Sequence, residues 1–402
     1  MLKLRISKQL GCVLILSASA LPVAGNETLP QNHPLVPAQE LVSTRAAVPT
    51  LDNAPLPSQV IDLKKLTGID GIMPQLSAKR VVFVGEIHDR HAHHETQLEV
   101  IRRLYAANPN LAIGMEWFQQ PFQPELDAYV AGTLDEKELL KKTEYFTRWR
   151  VDFRLLRPIL EFARSNHIPL IALNIDRELH HKIVASGMDA LTAEERAKVP
   201  TEIDRSDMQY QDRLRKIFSS HPPESTGSFE RMVEGQLLWD ESMAARAADY
   251  LKRHPLDRMA VLVGAGHVIY GSGIPNRLVR RLPAETATIL TGLEFGMNSE
   301  VADFLLLAEE NPLPPSGRIG VGLDESKKGV EITEFTPGSS AEAGGLRVRD
   351  QIISIEGKPI EDIADLKISL LDKSPGEHLQ MTVRRSGWLM GTEELPIRVT
   401  LR

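Results

Sequence analysis

Two short turns that join glycine to histidine are the segments best suited to chemistry in this sequence. Gly85-Glu86-Ile87-His88 follows one apolar run, and Gly264-Ala265-Gly266-His267 follows another much later in the chain. Imidazoles and carboxylates bind metals and move protons near neutral pH, and glycine lets the backbone approach a ligand closely. Glu116 and the Asn174-Ile175-Asp176 segment also follow apolar runs. These side chains can act together only if the fold gathers the ends of those runs.

The elements that would gather them are predicted strands. Between residues 59 and 310, short apolar runs alternate with amphipathic helical patterns, which is typical of a mostly parallel sheet flanked by helices. Open parallel sheets bind ligands at the carboxyl ends of their strands. We therefore expect one cleft that contains Glu86, His88, Glu116 and His267. The segment between the third and fourth strands is predicted to form a helical lobe, and the predicted strands are 80–84, 111–115, 169–173, 259–263, 286–290 and 304–307.

Helix faces add further polar residues to this cleft. His94 and Gln97 lie on the inward face of a predicted helix over 92–107, and Gln236 and Asp240 lie at the centre of the apolar stripe of a helix over 229–251. Burying an amide and a carboxylate is costly unless they meet partners. Two interpretations stay open, since these groups either cap a neighbouring strand or bind a core water, or they serve the cleft. The neighbouring His91 and His93 are also able to act as ligands, but for both of them a position facing solvent is favoured over a direct role in the cleft.

Composition excludes several classes of function. The formal net charge of -7 is spread along the chain without a long basic block, which argues against nucleic-acid partners. The sequence contains no GxSxG elbow, HExxH helix, Walker loop or GxGxxG after the first strand, so nucleotide binding is disfavoured. Cys12 is the only cysteine. It lies in the predicted leader, and the mature protein would have neither disulfides nor cysteine-bound metals.

The two ends of the first domain carry segments of a different kind. Residues 1–25 have the charged, apolar and small-residue order of a secretory signal, which predicts a periplasmic or cell-envelope protein with no transmembrane span after cleavage. Cys12 does not follow the apolar run, so a lipoprotein is not expected. Residues 26–58 read as a flexible linker, and the proline-rich residues 311–317 read as a second linker before a separate domain.

Several motifs of the first domain resemble a known family. They are Val82–Glu99, Gly114-Met115-Glu116, Glu234–Ala244 and Val263–His267, and they are similar to the ChaN-like family of iron-regulated, haem-binding bacterial envelope proteins over residues 59–310. The resemblance implies haem as cofactor, a role in haem or iron uptake, and a homodimer. Haem iron accepts His, Met or Tyr, so Tyr210 and His267 are candidate axial ligands and His180 and His181 weaker ones. The cofactor-binding residues implied are His88, His94, Gln97, Glu116, Tyr210, Gln236, Asp240 and His267.

The same two turns also resemble the Tiki and TraB superfamily of metallohydrolases and, more distantly, erythromycin esterases. In that interpretation His88, Glu116 and His267 hold a divalent metal ion, and the catalytic set is Glu86, His88, Glu116 and His267. A bound metal ion lowers the pKa of its water ligand to near neutral and so creates a nucleophile.

Residues 318–402 resemble the PDZ domain of bacterial envelope proteases. Gly320-Val321-Gly322-Leu323 is similar to the carboxylate-binding loop of that family, and the segments 337–346 and 350–360 continue the resemblance. In PDZ domains successive backbone N–H groups capture a C-terminal carboxylate while the peptide adds a strand to the sheet. The resemblance implies peptide binding by Gly320, Val321, Gly322 and Leu323, with a helix over 363–371 as the other wall of the groove. Packing against the first domain alone stays an alternative role.

The sequence thus predicts an α/β domain with a mostly parallel sheet and a helical lobe, followed by a PDZ β-sandwich or barrel-like domain. We expect an exported haem-binding protein of haem or iron uptake whose second domain binds peptides or protein C-termini. A metal-dependent hydrolase or peptidase that uses the same cleft is the first alternative, and a non-catalytic PDZ adaptor is the second.

Overall fold

The computed structural model describes residues 61–149, 151–219, 229–326, 329–387 and 391–402. The predicted signal at 1–25 and the predicted linker at 26–58 lie outside these residues. The chain divides into a unit at Ile15–Gly68 and a second unit that holds everything described from Ile69 onward. In the described part of the first unit, a 3-10 turn at Leu63–Lys65 begins after Asp62, whose side chain accepts a hydrogen bond from the Lys64 N–H. No helix in the described part of the chain is long and apolar enough to cross a membrane.

Six parallel strands form the sheet of the N-terminal domain, in the order β3-β2-β4-β1-β5-β6. The late strand β4 lies between β2 and β1 and pairs with both, so three carboxyl ends lie side by side. This sheet confirms the predicted fold class. The strands are β1 (Val81–Glu86), β2 (Leu111–Gln119), β3 (Leu170–Asn174), β4 (Arg258–Gly264), β5 (Thr286–Thr291) and β6 (Phe304–Leu306).

Helices cover both faces of this sheet because alternate strand residues point to opposite sides. Val82 and Val84 pack in one buried cluster, and Val81 and Phe83 pack in a second cluster on the other face. Helices α2, α3, α4 and α6 supply the first cluster, while α7, α10 and α11 supply the second. The helices are α1 (Met73–Ala78), α2 (His91–Ala107), α3 (Gln123–Val130), α4 (Glu136–Lys142), α5 (Tyr145–Arg148), α6 (Arg157–Ser165), α7 (Arg177–Ser186), α8 (Ala193–Arg196), α9 (Met208–Ser219), α10 (Phe229–Arg253) and α11 (Ile274–Arg281).

The predicted helical lobe between β3 and β4 consists of α7 to α10 in the described residues. Residues 197–207 are not helical, so the expectation of a wholly helical segment is wrong there. Tyr210 and Leu214 of α9 pack with Val233 and Leu237 of α10 in a small buried cluster of their own. The lobe therefore brings α9 against the same helix that carries Gln236 and Asp240.

An antiparallel sheet forms the C-terminal domain, in the order β12-β11-β9-β8-β7 with β10 beside β9. Its core is an aliphatic cluster that includes Ile332, Ile352 and Val399. Strand β7 lies at an edge of the sheet, which is the position that strand addition by a peptide requires. The elements are β7 (Val321–Ser326), β8 (Gly329–Phe335), α12 (Ser340–Ala343), β9 (Gln351–Ile355), β10 (Lys358–Pro359), α13 (Ile363–Leu370), β11 (His378–Gly387) and β12 (Gly391–Thr400).

Candidate functional site

The first imidazole of the site follows the carboxyl end of β1. His88 Nδ1 lies 2.8 Å from Glu86 Oε1, and the indole Nε1 of Trp117 donates to the same oxygen at 2.9 Å. The other Glu86 oxygen lies 3.0 Å from His94 Nδ1, and His94 Nε2 lies 2.9 Å from the His88 carbonyl oxygen. Glu86 is 2% exposed, and its Oε1 atom has His88 and Trp117 as hydrogen-bond partners, whereas Oε2 and the nearby His94 Nδ1 are buried without hydrogen-bond geometry between them. This carboxylate orients the His88 ring through its Nδ1 side.

The second imidazole follows β4 and has the same arrangement. His267 Nδ1 lies 2.6 Å from Asp240 Oδ1, and the Tyr210 hydroxyl donates to Asp240 Oδ2 at 2.5 Å. The Gln236 amide lies 3.2 Å from the same ring nitrogen. Asp240 is fully buried, and α10 carries both Gln236 and Asp240 one turn apart on the face that meets the sheet edge. The costly polar groups on that stripe thus have partners.

Glu116 lies between the two imidazoles. Its Oε1 atom is 3.8 Å from His88 Nε2 and 3.5 Å from His267 Nε2. Its Oε2 atom accepts a hydrogen bond of 2.7 Å from the Gly264 N–H, and the Asn174 side chain donates to its backbone carbonyl at 2.9 Å. Each imidazole therefore uses Nδ1 for a carboxylate of its own and directs Nε2 toward one shared carboxylate.

Gly264 has a specific steric role in this cluster. A Cβ atom at this position would lie 3.1 Å from His88 Nε2 and 3.6 Å from Glu116 Oε2. The absence of a side chain lets the end of β4 approach the ring of His88, which the residue type predicted.

Burial and neighbouring charge act in opposite directions on the central groups. Burial would raise the pKa of Glu116, but the charges of His267 and His88 and the hydrogen bond from Gly264 lower that pKa to about 2. Burial would lower the pKa of His267, but Glu116 and Asp240 raise it to about 10. His88 follows the same pattern, since Glu116 and Glu86 raise its pKa despite burial. The cluster is thus held as paired charges near neutral pH.

These shifts predict how stability depends on pH. The pKa of Glu116 falls from 4.5 to about 2 on folding, so its stabilising effect is complete above pH 4.5 and is lost as the pH falls toward 2. The pKa of His267 rises from 6.5 to about 10, so its effect is complete below pH 6.5 and is lost as the pH rises toward 10. Glu116→Gln should therefore flatten both limbs of a plot of melting temperature against pH.

A matched control uses Glu194, which lies 3.3 Å from Lys198 and has a side chain 85% exposed. Glu194→Gln should leave the pH profile close to that of the wild type because exposed pairs contribute little. If Glu116→Gln and the wild type lost stability over the same pH range, the proposed coupling between Glu116 and His267 would be wrong.

Three tryptophans that sequence reasoning missed surround the imidazoles. The ring of His88 lies 4.9 Å from that of Trp117 and 5.4 Å from that of Trp149, and Trp117 and Trp149 lie 4.5 Å apart. Trp239 lies 5.3 Å from His267. Trp117 and Trp239 directly follow or precede predicted site residues, so adjacency could have revealed them. Trp149 follows α5 in a segment without any motif, and its position could be found only from the fold.

The structure brings together most of the predicted site residues. They are Glu86, His88, His94, Glu116, Tyr210, Gln236, Asp240 and His267. The roles assigned to them in catalysis or cofactor binding stay predictions.

Gln97 lies on the expected face of α2, but its amide donates to the Val84 carbonyl oxygen at 3.1 Å within β1. Asp176, at the end of the third predicted strand, accepts a hydrogen bond of 2.9 Å from the Leu179 N–H and caps α7. These two residues therefore have local bonds apart from the imidazole cluster.

The expectation that His93 faces solvent is wrong. His93 is 4% exposed, and its Nδ1 accepts a hydrogen bond of 3.0 Å from the Ile87 N–H. His91 is half-buried, with Nδ1 2.8 Å from the Asn311 carbonyl oxygen. The helix begins at His91, and the His93 ring in its first turn faces the loop after β1, whose Ile87 N–H it binds.

The weaker haem-ligand candidates, His180 and His181, lie on α7, and His180 contacts α10. His180 Nε2 lies 3.0 Å from the Gly235 carbonyl oxygen, and burial lowers the pKa of His180 to about 4. Its ring lies 5.3 Å from Trp239. The Trp239 ring therefore contacts both His180 and His267.

A divalent-metal centre is not preformed in the described residues. No group of three or more His, Cys, Asp or Glu side chains in that part of the chain has an arrangement that could hold a metal ion. The assignment of His88, Glu116 and His267 as metal ligands stays a prediction.

The C-terminal domain presents a second candidate site at the loop before β7. The Arg318 carbonyl accepts bonds from the Arg402 N–H and the Ser340 hydroxyl, and the Ile319 carbonyl accepts bonds from the Ala341 N–H and the Ser339 hydroxyl. The Gly320 carbonyl accepts from the Thr336 N–H. Three successive carbonyls thus point into the domain. In a planar trans peptide the next N–H points the opposite way, so the N–H groups of residues 319 to 321 point outward.

Gly320 is required by this loop, because its φ is +74° and an added Cβ would lie 2.9 Å from Thr336 Oγ1. We expect Gly320→Ala to lower the free energy of unfolding of the C-terminal domain by a left-handed-backbone cost of about 1–2 kcal/mol plus an overpacking cost of about 1–3 kcal/mol. Gly357 offers a matched control, with φ +73° and nothing within 4 Å of its added Cβ. Gly357→Ala should therefore show the backbone cost alone. If denaturant titrations gave the same loss of unfolding free energy for Gly320→Ala and Gly357→Ala, an added steric cost at Gly320 would be refuted.

Comparison with known proteins agrees with this geometry. A protein-family model described as haem-binding uptake, Tiki superfamily, ChaN, matches residues 72–278. The chain belongs to this ChaN-like haem-binding family. A second model, of the PDZ domain, matches residues 310–384 of the same chain. The ChaN-like domain therefore contains both turns of the imidazole cluster, and the PDZ domain contains the loop before β7.

Relatives cover only parts of this two-domain chain. The chloroplastic protein RETICULATA-RELATED 5 of Arabidopsis thaliana is 25% identical over 60% of this chain and 36% of its own length. The periplasmic pH-dependent serine endoprotease DegQ of Escherichia coli is 27% identical over 34% of this chain and 27% of its own length. The solved structure of ChaN of Campylobacter jejuni with cofacial haem is 16% identical and covers 60% of this chain and 92% of that chain, with a TM-score of 0.49. This chain thus spans about a third or less of the two curated relatives.

Proposed function

We propose that this protein is exported to the periplasm or cell envelope, binds haem in its ChaN-like domain for haem or iron uptake, and binds protein C-termini through its PDZ domain. The observation that carries the haem proposal is the pairing of two imidazoles with buried carboxylates. A metal-bound histidine usually donates its other ring N–H to a carboxylate, which orients the ring and raises its basicity. His88 and His267 both have this arrangement through Glu86 and Asp240.

The donor set of the site fits haem. Haem iron accepts nitrogen from His or oxygen from Tyr as a ligand. When bound, the iron would itself act as a Lewis acid toward these donor atoms. Tyr210 is a poor donor because its hydroxyl already bonds to Asp240, and burial beside that carboxylate raises its pKa well above 10. His88 and His267 would therefore hold the iron, each through Nε2 once that nitrogen has released the proton it carries in the paired-charge state. Trp117 and Trp239, whose rings contact His88 and His267, offer an apolar aromatic surface for a porphyrin.

Titration with haemin tests the proposal directly. We expect a saturable shift of the Soret band at a defined haemin-to-protein ratio. A homodimer belongs to the same proposal, and sedimentation velocity with and without haemin would test it. The absence of any Soret shift at micromolar protein would exclude the haem assignment.

The PDZ part of the proposal is supported by the outward N–H groups of residues 319 to 321 and by the edge position of β7. A display library of peptides with free C-termini should yield binders to the full-length protein. A hydrogen bond to a charged group contributes about 1.5–3 kcal/mol, so amidation of a selected peptide should weaken binding at least about tenfold. Equal affinity of acid and amide would contradict capture of a carboxylate.

A metal-dependent hydrolase is the second candidate, and one observation favours it. The two Nε2 atoms of His88 and His267 both face the same oxygen of Glu116, at 3.8 Å and 3.5 Å. Two imidazoles and a carboxylate are ligand types that a water-activating divalent ion prefers, and binding would require them to move from their present arrangement, which is not a preformed metal site in the described residues. Tight binding of Zn²⁺ in calorimetry with no Soret response to haemin would favour this candidate, and failure of both titrations would leave an adaptor role for the PDZ domain.

A further inference from the structure

The PDZ domain packs against the ChaN-like domain through α13. Lys141 of α4 lies 2.9 Å from Asp365 and 3.2 Å from Asp362, and Arg157 lies 2.5 Å from Asp372. The Lys141 side chain is 39% exposed. Ion pairs at this exposure are weak individually, so the contact is one that can open.

Apolar contacts extend the same interface. Leu371, directly after α13, is 8% exposed and belongs to the core cluster of the ChaN-like domain, and Ile368 packs against that cluster. Lys367 lies 5.4 Å from the ring centre of Phe146 in α5. Helix α13 therefore contacts both α4 and α5.

Helix α5 connects this interface to the imidazole site. It is a single turn over Tyr145–Arg148, and the next residue is Trp149, whose N–H donates to the Tyr145 carbonyl at 2.7 Å. The Trp149 ring lies 5.4 Å from that of His88, and this tryptophan is half-buried while His88 is 8% exposed. Trp149 thus contacts His88 at the end of the helix that α13 supports, and part of its own side chain is open to solvent.

Helix α13 also belongs to the peptide groove. The N–H of Ile363, its first residue, donates to Glu325 of the edge strand β7 at 2.9 Å. A peptide that adds to β7 would lie beside this helix. The peptide groove and the contact with the ChaN-like domain therefore share one helix.

We propose that the docked PDZ domain is an autoinhibitory cover for the imidazole site: α13 holds α5 so that Trp149 closes over His88, and release of α13 opens the site. The proposal rests on the haem-binding function proposed above for its physiological meaning. The cover itself is a property of α13, α5 and Trp149, and it can be measured without haem.

The test compares two charge reversals in the full-length protein. Lys141→Glu should undock α13, because it places a negative charge beside Asp365 and Asp362. Lys182→Glu is the matched control, since Lys182 forms a pair of 2.6 Å with Glu195 and is 37% exposed. The charge swap Lys141→Glu with Asp365→Lys should restore docking.

The first readout is quenching of Trp149 fluorescence by acrylamide, taken as the difference between each protein and its Trp149→Phe counterpart. We expect the quenching constant to rise at least about twofold in Lys141→Glu, and to stay at the wild-type value in Lys182→Glu and in the charge swap. The second readout is the association rate of haemin, which should rise at least about fivefold in Lys141→Glu. Trp149→Ala should raise that rate as much, with no further increase in the double variant.

The outcomes separate this proposal from the haem assignment. Unchanged Trp149 quenching in Lys141→Glu would overturn the cover, whatever haemin does. Increased quenching with no haemin binding in any variant would keep the cover and refute the haem function. Haemin rates that rise equally in Lys141→Glu and Lys182→Glu would show a general charge effect and would also overturn the cover.

Discussion

Replacement of both His88 and His267 by alanine should abolish the Soret shift on haemin addition, and each single replacement should weaken haemin binding at least about tenfold. The reason is that each ring presents Nε2 while a buried carboxylate holds its Nδ1 side. Loss of a carboxylate that orients a metal ligand commonly costs about 10–100-fold in affinity, so loss of the ligand itself should cost no less. Absorbance titration at constant protein concentration measures both quantities.

Three controls make this result specific. His254→Ala removes a histidine whose ring stacks on Tyr250 at 4.3 Å, and it should bind haemin like the wild type. Tyr210→Phe should retain the Soret shift because its hydroxyl is engaged by Asp240. Glutamine replacements at His88 and His267 preserve side-chain size, so circular dichroism can separate ligand loss from unfolding. An undiminished Soret shift in the double variant would contradict ligation by these imidazoles.

Glu241→Ala should destabilise the ChaN-like domain by about 3–5 kcal/mol, the usual cost of removing one partner from a buried ion pair. Glu241 is fully buried on α10 and binds Arg280 at 2.7 Å, Arg277 at 3.2 Å and also Arg281. It further accepts a hydrogen bond of 2.7 Å from the Asp204 N–H. Arg277 is 2% exposed, and without Glu241 its charge would lack the carboxylate that now neutralises it. Urea denaturation followed by far-ultraviolet circular dichroism gives the change.

A second glutamate on the same helix provides the comparison. Glu234 pairs with Arg205 at 3.0 Å, and its side chain is 33% exposed. Glu234→Ala should cost no more than about 1 kcal/mol, since the pair is partly in water. If Glu241→Ala and Glu234→Ala lowered the free energy of unfolding by similar amounts, burial would not be the reason that the ion pairs of Glu241 stabilise the domain.

The sequence allowed a correct prediction of the features that follow from hydrophobic periodicity and from the residues at the ends of the strands. Alternating apolar runs indicated a parallel sheet, and the rule of carboxyl ends led to Glu86, Glu116 and His267. The stripe of α10 identified Asp240 because a carboxylate on a buried face needs a partner. These inferences need only local pattern and one general rule about sheets.

Other features depend on contacts between distant segments and left no local signal. Trp149 contacts His88 only because the fold places the end of α5 beside the turn after β1. Lys141 and Asp365 look like ordinary surface charges in sequence, and their pairing requires the placement of the PDZ domain. His93 was predicted to be exposed because periodicity alone does not show that the β1 loop folds over the first turn of α2.

The position of β4 in the sheet has a consequence for folding during synthesis of the chain. Strands β1 and β2 are synthesised early, but they are not neighbours until β4 enters between them. A nascent chain that ends before Arg258 lacks both the central strand and His267, so it has half of the imidazole pair and an incomplete sheet. Such non-local pairing forms late. If His88 and His267 hold a cofactor together, as proposed, that cofactor can load only after the chain has been made through β4 and His267.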